Sequence, residues 1–399
     1  MADTPTRIRL GDPGALVAAI PHLLGFTPLD SVVAVGLRRP RSRVCLTLRL
    51  DLAAALDHAL LATVAAHLRR ANATEFVVVV AGSPAWTTGP PGSGPVPPSP
   101  PGSGAVPPSP PGSGPVPASP PGSGPVPPSP PGSCAAPPSL AGPLPYRAEV
   151  QAMREICERR RLVLRDALWV HQGRWRSYLC PDPSCCPPGG TPVDASAAGE
   201  LAAELALSGR CALPDRAALE RSVAGDFPLG EAVAARLFAA ASARDGESPP
   251  DGRSVARGEP APEDPDAVLS AAVQRCVPGG PGVVAGDRAR LCVLLSRPAV
   301  RDRALRWLGG PLHDAAQTLW QDLTRAAPPP WAAAPAALLA LYVYARGDGA
   351  FARVCADRAL ADDPDHRLAG LVHEMLDHAV GPAEVAAAAR LMARRRGSP

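Results

Sequence analysis

EFVVVVAG, residues 75–82, carries four consecutive valines behind a phenylalanine and has no polar face. A strand of this kind must be covered by other elements on both sides, as in sheets sandwiched between helices. The stretches around it agree. Asp12-Pro13 reads as an N-cap followed by proline at the first helical position, opening a short helix through about Leu24. Val32–Leu37 and Val44–Asp51 read as strands joined by the arginine-rich turn Arg38–Arg43. Leu56–Ala71 has helical spacing at Leu56, Leu60, Leu61, Val64 and Leu68. Further on, Arg147–Arg161 is helical and Ala167–Leu179 is a hairpin turning at Gln172-Gly173. The order helix–β–β–α–β–α–β–β predicts an α/β fold, a mixed sheet with covering helices, over residues 1–88 and 140–194.

Between the two parts of that domain, residues 89–139 hold five tandem copies of a decapeptide, from PPGSGPVPPS at Pro90 to the degenerate PPGSCAAPPS ending at Ser139. Glycine does not recur every third residue, so this is not collagen. With no apolar periodicity it is expected to be a disordered, partly polyproline-II insert. It is either a ligand for a proline-binding domain or a slipped-repeat expansion, tolerated because closure entropy grows only logarithmically with length. From residue 195 the pattern is helical: Ala195–Leu207, Arg216–Ala224 and Leu229–Arg244, then a polar linker over 245–265. Residues 266–399 read as six or seven helices. There Gly347-Asp348, Ala352, Ala356, Ala359 and Pro364 are spaced like the second half of a tetratricopeptide repeat, predicting a TPR-like helical hairpin in an all-α C-terminal region.

Composition removes several functions. The 399 residues contain no lysine, which excludes the phosphate-loop, kinase and Schiff-base lysines together. A net charge of +3 is too small to imply nucleic acid or membrane as the main partner. The start, MADTPTRIRLGDPG, lacks the apolar core of a signal peptide, and the apolar run from Trp331 to Ala345 is too short for a bilayer. A cytoplasmic protein is expected, with its ten cysteines free or ligating rather than bridged.

Chemistry concentrates in GRWRSYLCPDPSCCPP, residues 173–188, where Trp175 and Tyr178 accompany Cys180, Cys185 and Cys186 although only 4% of the chain is aromatic. As a zinc site the C-x4-C-C spacing is poor: adjacent cysteines tend to diverge, and a fourth ligand is hard to find. His171 pairs with Arg174 across the predicted hairpin, which puts it on the order of 20 Å from Cys180 at ~3.3 Å per residue. Zinc is therefore disfavoured and no cofactor is expected. Arg174 and Arg176 share the strand face of Tyr178 and Cys180, and would lower a thiol pKa there. The structural reading has Val170, Trp175, Ser177 and Leu179 packing into the core and the cysteines acting as small apolar groups. Two candidates are weaker. Arg38–Arg43 could meet phosphates but has no interleaved aromatics, and Asp30-Ser31 could cap a turn or line a cleft.

Three segments resemble an actinobacterial family, domain-of-unknown-function family 4192: RLGDPGALVAAIPHLLGFTPLDSVVAVGLR, GRWRSYLCPDPSCCPPGGTPV, and ALLALYVYARGDGAFARVCADRALADDPDHRL. They span nearly the whole chain apart from the repeat and the linker. The resemblance implies an architecture and a compartment but no activity. It also implies a second tryptophan where Arg176 stands and an acidic residue where Gly189 stands, so a site relying on that carboxylate would be weakened here. The leading expectation is a non-catalytic interaction or regulatory protein, meeting a protein partner through its helical C-terminal region. An enzyme or thiol redox sensor using Cys180, Cys185 and Cys186 is the alternative, and nucleic-acid contact through Arg38–Arg43 comes third.

Overall fold

Strand β3 (Glu75–Ala81) is buried at all seven positions, as its valines require. In the computed structural model, which describes residues 12–40, 42–82, 143–207, 211–226 and 264–396, it lies inside a six-stranded sheet of order β2-β1-β3-β4-β5-β6. β1 (Ser31–Arg38) runs antiparallel to both β3 and β2 (Arg43–Asp51). β3 pairs in parallel with β4 (Val163–His171), and β5 (Arg174–Ser177) and β6 (Thr191–Pro192) follow antiparallel. The sheet is therefore mixed, with one parallel pair at its centre.

Each face has its own cover. Val32, Ala34, Val78, Val80, Ala167 and Trp169 pack beneath α2 (His58–Arg70) and α3 (Arg147–Arg159). Val33, Val35, Val77, Val79, Leu168 and Val170 join a second apolar core that takes in α1 (Pro13–Leu24) and runs on into the helical half. Asp12 caps α1 as the sequence indicates, accepting from the Gly14 N–H at 2.8 Å, and Pro13 opens the helix. Smaller helices α4 (Gly199–Leu207) and α5 (Arg216–Arg221) bridge towards the second half.

That half contains α6 (Pro265–Arg275), α7 (Ala285–Leu295), α8 (Pro298–Arg303), α9 (His313–Ala326), α10 (Ala333–Ala345), α11 (Gly349–Asp362), α12 (Arg367–Asp377) and α13 (Pro382–Arg396). Helix α10 is buried along nearly its whole length, so it carries no amphipathic stripe and sits at the centre. Its Tyr342 hydroxyl donates to the Ala304 carbonyl at 2.6 Å, and the ring meets Trp320 edge-on and His313 at 4.9 Å. α10 and α11 form a helical hairpin in which Ala352, Ala356 and Ala359 are fully buried. No helix among the described residues is long and apolar enough to cross a membrane.

Four details depart from the sequence reading. Helix α8, six residues long and polar, raises the described helices from Pro265 onward to eight. β6 is only two residues long and includes a proline, so it has no strand pattern to read. Ala195–Ala198 is a 3-10 turn leading into α4, and α5 stops at Arg221 rather than Ala224. The strand of the hairpin ends at Ser177, which leaves Leu179 exposed at 44% instead of in the core. The decapeptide repeat, Leu229–Arg244 and nearly all of the polar linker lie outside the described residues.

Candidate thiol site

The β4–β5 hairpin sets the site up. Gln172 and Gly173 turn the chain with φ of 48° and 69°, the left-handed pair that suits a two-residue hairpin loop. His171 then pairs with Arg174 in the register expected. Beyond Ser177 the ladder gives way to a side-chain-built turn. The Ser177 hydroxyl donates to Asp166 Oδ1 at 2.7 Å and accepts from the N–H groups of Leu179 (3.1 Å) and Cys180 (3.3 Å). Tyr178 anchors the exit, its hydroxyl donating to the Pro145 carbonyl at 2.8 Å, and burial raises its pKa.

A second turn follows at once. Asp182 Oδ1 accepts from both the N–H and the hydroxyl of Ser184 at 2.8 Å, which lowers its pKa, and the Cys186 N–H closes back on the Asp182 carbonyl at 2.8 Å. This loop folds the chain so that the Sγ atoms of Cys180, Cys185 and Cys186 all lie within 4.8 Å of one another. The divergence expected of neighbouring cysteines holds for extended chain, and here the backbone is turning instead. The reading of the thiols as small buried apolar groups fits Cys186, which packs against the edge of the apolar core, but not Cys180, which is half-buried, or Cys185, which is exposed.

Two of the three thiols are shifted upwards. The Cys185 pKa is raised, first by its hydrogen bond to Cys180 and then by the charge there. Burial is the main reason that Cys186 is pushed up to about 11, with Cys180 and Cys185 adding to it. Arg174 is occupied elsewhere. Its Nε donates to the Gly189 carbonyl at 2.6 Å and its Nη2 to the Gly190 carbonyl at 2.7 Å, folding residues 187–190 back onto β5. Gly190 has φ of +70°, and a Cβ on it would come within 3.2 Å of the Trp175 carbonyl. The Arg176 side chain packs beside Gly190 as well, while a side chain at Gly189 would meet open space.

The remaining sequence candidates have other duties. Trp175 is buried under α1, with its Nε1 3.1 Å from where a Gly14 Cβ would lie, so it belongs to the core. His171 is buried and stacked on Trp169 at 5.2 Å, and it is not part of the thiol group. Ser31 is fully buried, donating to the Leu29 carbonyl at 2.5 Å and accepting from Arg49 Nε at 2.8 Å. Asp30 takes a left-handed φ of 42° and its carbonyl accepts from Leu52 N–H, which makes the pair a turn. In the arginine-rich turn, Arg39 donates to Glu75 Oε1 from Nε (3.0 Å) and Nη2 (2.6 Å). The residues the sequence reading missed are Asp166 and Asp182, which shape the knuckle together with Ser177, buried as the sequence indicates but serving as a turn-closing hydroxyl. The signal for one of them was present: Asp-x-Ser between cysteines is an Asx-turn pattern.

The model of the family described as Domain of unknown function (DUF4192) matches residues 13–383. The chain belongs to this family. The match takes in the sheet, the thiol knuckle and most of the helical half of this DUF4192 chain. No curated protein and no solved structure matches it.

Proposed function

We propose that this DUF4192 chain is a non-catalytic binding protein whose Cys180/Cys185/Cys186 knuckle holds one thiophilic cation of the zinc class. The supporting observation is the convergence of the three Sγ atoms within 4.8 Å. Zinc–thiolate bonds of about 2.3 Å put tetrahedrally arranged sulfurs about 3.8 Å apart, so the loop has to contract by about 1 Å at most to close on the ion. The raised Cys185 and Cys186 favour a metal over a redox thiol. Thiols protonated at neutral pH are slow nucleophiles, whereas a cation relieves the mutual repulsion of three thiolates. Among the described residues no fourth His, Cys, Asp or Glu joins the group, which leaves a coordination position for water or a partner's side chain. Asp182 is committed to Ser184 and does not serve as a base.

The rest of the reading extends this. The hairpin of α10 and α11, with its small residues at the helix contact, supports a TPR-like element in the helical half, where a protein partner docks. Free thiols fit a reducing, cytoplasmic setting. A nucleic-acid role through Arg38–Arg43 loses support because Arg39 is engaged by Glu75.

The test is metal content. Full-length protein purified under reducing conditions is expected to carry one zinc per chain by elemental analysis, and Cys185→Ser to lose it. Protein that takes up no zinc on titration, or a Cys185→Ser variant that binds as the wild type does, overturns the proposal. A disulfide among Cys180, Cys185 and Cys186 in freshly isolated, metal-free protein would establish the redox alternative instead.

A further inference from the structure

The net charge of +3 hides an uneven distribution. Strand β1 ends at Arg38 and β2 begins at Arg43, while β3 begins at Glu75 opposite Leu37 and β4 at Val163 opposite Glu75. The helices that feed β3 and β4, α2 and α3, therefore both finish at this end of the sheet. Backbone bonds tie the connections together: Thr74 N–H donates to the Leu37 carbonyl at 2.9 Å and Val163 N–H to the Thr74 carbonyl at 3.1 Å. On the rim so formed, Arg38 and Arg43 meet Arg69 and Arg70 from the end of α2, and Arg159, Arg160 and Arg161 from the end of α3 and the turn behind it. We infer that this rim grips the phosphate backbone of double-stranded DNA without reading its sequence.

These cations are available to a ligand. All of them are exposed, and among the described residues none makes a side-chain hydrogen bond or an ion pair. The carboxylates close by have partners of their own. Glu75 holds Arg39 and Arg165, Glu158 holds Arg154, and Asp377, whose carbonyl meets His67 on α2, holds Arg353. Arg39 is thus outside the set, and the first turn alone would be a poor site, but the two helix ends supply the rest. Helix dipoles account for Arg69, Arg70 and Arg159 in the last turns of α2 and α3. They do not account for Arg38, Arg43 and Arg161, which lie outside helices. Arg38 also stands directly opposite Arg43 in the β1–β2 register. Like charges facing across a ladder are destabilising, and an anion between them relieves the repulsion.

The ligand class follows from what accompanies the charge. Guanidinium forks suit phosphate oxygens. Through β2, β1, β3 and β4 the rim spans roughly 14 Å at ~4.8 Å between neighbouring strands. Duplex DNA carries a charge every ~1.7 Å of its axis, so a stretch of that length presents about eight phosphates on its two strands, a comparable density of charge. The connecting segments RRPRSR (38–43), RRANATE (69–75) and RRRLVLR (159–165) contain no aromatic residue, so there is no platform on which unpaired bases stack. Val163, 60% exposed, is the rim's only exposed large apolar residue among those described, and a single valine is no anchor in a membrane.

The experiment is fluorescence anisotropy of a short labelled DNA duplex of random sequence, titrated with the full-length protein over a range of salt concentrations. Binding is expected at low salt and should weaken about 20- to 80-fold for each doubling of salt, the dependence for roughly five to seven neutralised phosphates. The double variants Arg69→Gln/Arg70→Gln and Arg159→Gln/Arg160→Gln should each weaken binding about tenfold and reduce the salt slope by about 2. Every replaced position is exposed, and an unchanged urea midpoint shows that each variant is folded. Arg367→Gln, at the far end of α12 from Asp377, should change neither affinity nor slope. No binding of the duplex at low salt overturns the inference. So does binding that survives both double substitutions, or an equal loss for Arg367→Gln. Tighter binding to single-stranded DNA, or to vesicles of phosphatidylcholine and phosphatidylserine in equal parts, overturns it as well and gives the rim to another partner.

Discussion

Glu75→Gln tests whether the arginine-rich turn is held to the sheet by charge. The Glu75 carboxylate is 11% exposed and receives Arg39 on Oε1, with Arg165 (3.2 Å) and Ser42 (3.4 Å) on Oε2. Its pKa is lowered, first by the hydrogen bond from Arg39. Glutamine keeps the shape and the Oε1 acceptor, but it loses the charge and turns an N–H towards Arg165. Hydrogen bonds to charged groups contribute about 1.5–3 kcal/mol, while exposed ion pairs contribute about 0–1 kcal/mol. The carboxylate is buried, but Arg39 and Arg165 are 73% and 41% exposed, so screening brings the expected value to the bottom of the first range. A loss of about 1.5 kcal/mol is expected, a shift of about 0.5 M in the urea midpoint.

The pH dependence carries the sign. A carboxyl held below its unfolded value contributes fully above about pH 4.3 and loses that contribution as pH falls through the folded value. Urea unfolding of wild type and Glu75→Gln should therefore show a constant gap between about pH 5 and 7 that narrows below about pH 4.3. Arg39→Met should cost less than Glu75→Gln, because Arg165 remains on the carboxylate. A gap that persists unchanged into acid would refute the ionic account and leave only shape.

Two further outcomes follow from other contacts. Tyr342→Phe removes the donor to the buried Ala304 carbonyl and should destabilise by about 1–1.5 kcal/mol in denaturant unfolding, whereas a neutral result would mean that the carbonyl finds another partner. Zinc affinity at the knuckle, followed with a competing chelator, should rise steeply from about pH 6 to pH 9, because the raised Cys185 and Cys186 must release protons to ligate. A flat profile would mean that these thiols are not the ligands.

The sheet was readable because its signals are local. FVVVV, the Asp12-Pro13 cap and the Gln172-Gly173 turn each act through nearest neighbours, and each element lies within a few residues of its expected place. Leu179 was misread because strand alternation was carried past Ser177, where a hydroxyl captures two backbone N–H groups and ends the ladder. The thiol convergence was missed for a related reason: the alternation that separates neighbours in a strand does not apply inside a turn closed by Asp182. A cavity at the seam of the sheet and helical halves, lined in part by Gly25, Leu213, Arg346 and Asp348, was out of reach altogether. Gly25, Leu213, Arg346 and Asp348 meet only through long-range docking, which no periodicity encodes.

The apolar core shared between the sheet and the helical half has a consequence for how the chain is made. Val33 and Val79 leave the ribosome long before Trp320 and Leu338, which belong to the same core. At ~5–20 residues per second the inner face of the sheet waits on the order of tens of seconds for its cover. During synthesis the protein is therefore a half-built sandwich with one oily side exposed, and chaperone demand or aggregation should concentrate in that window. A chain cut before α6 would never leave it.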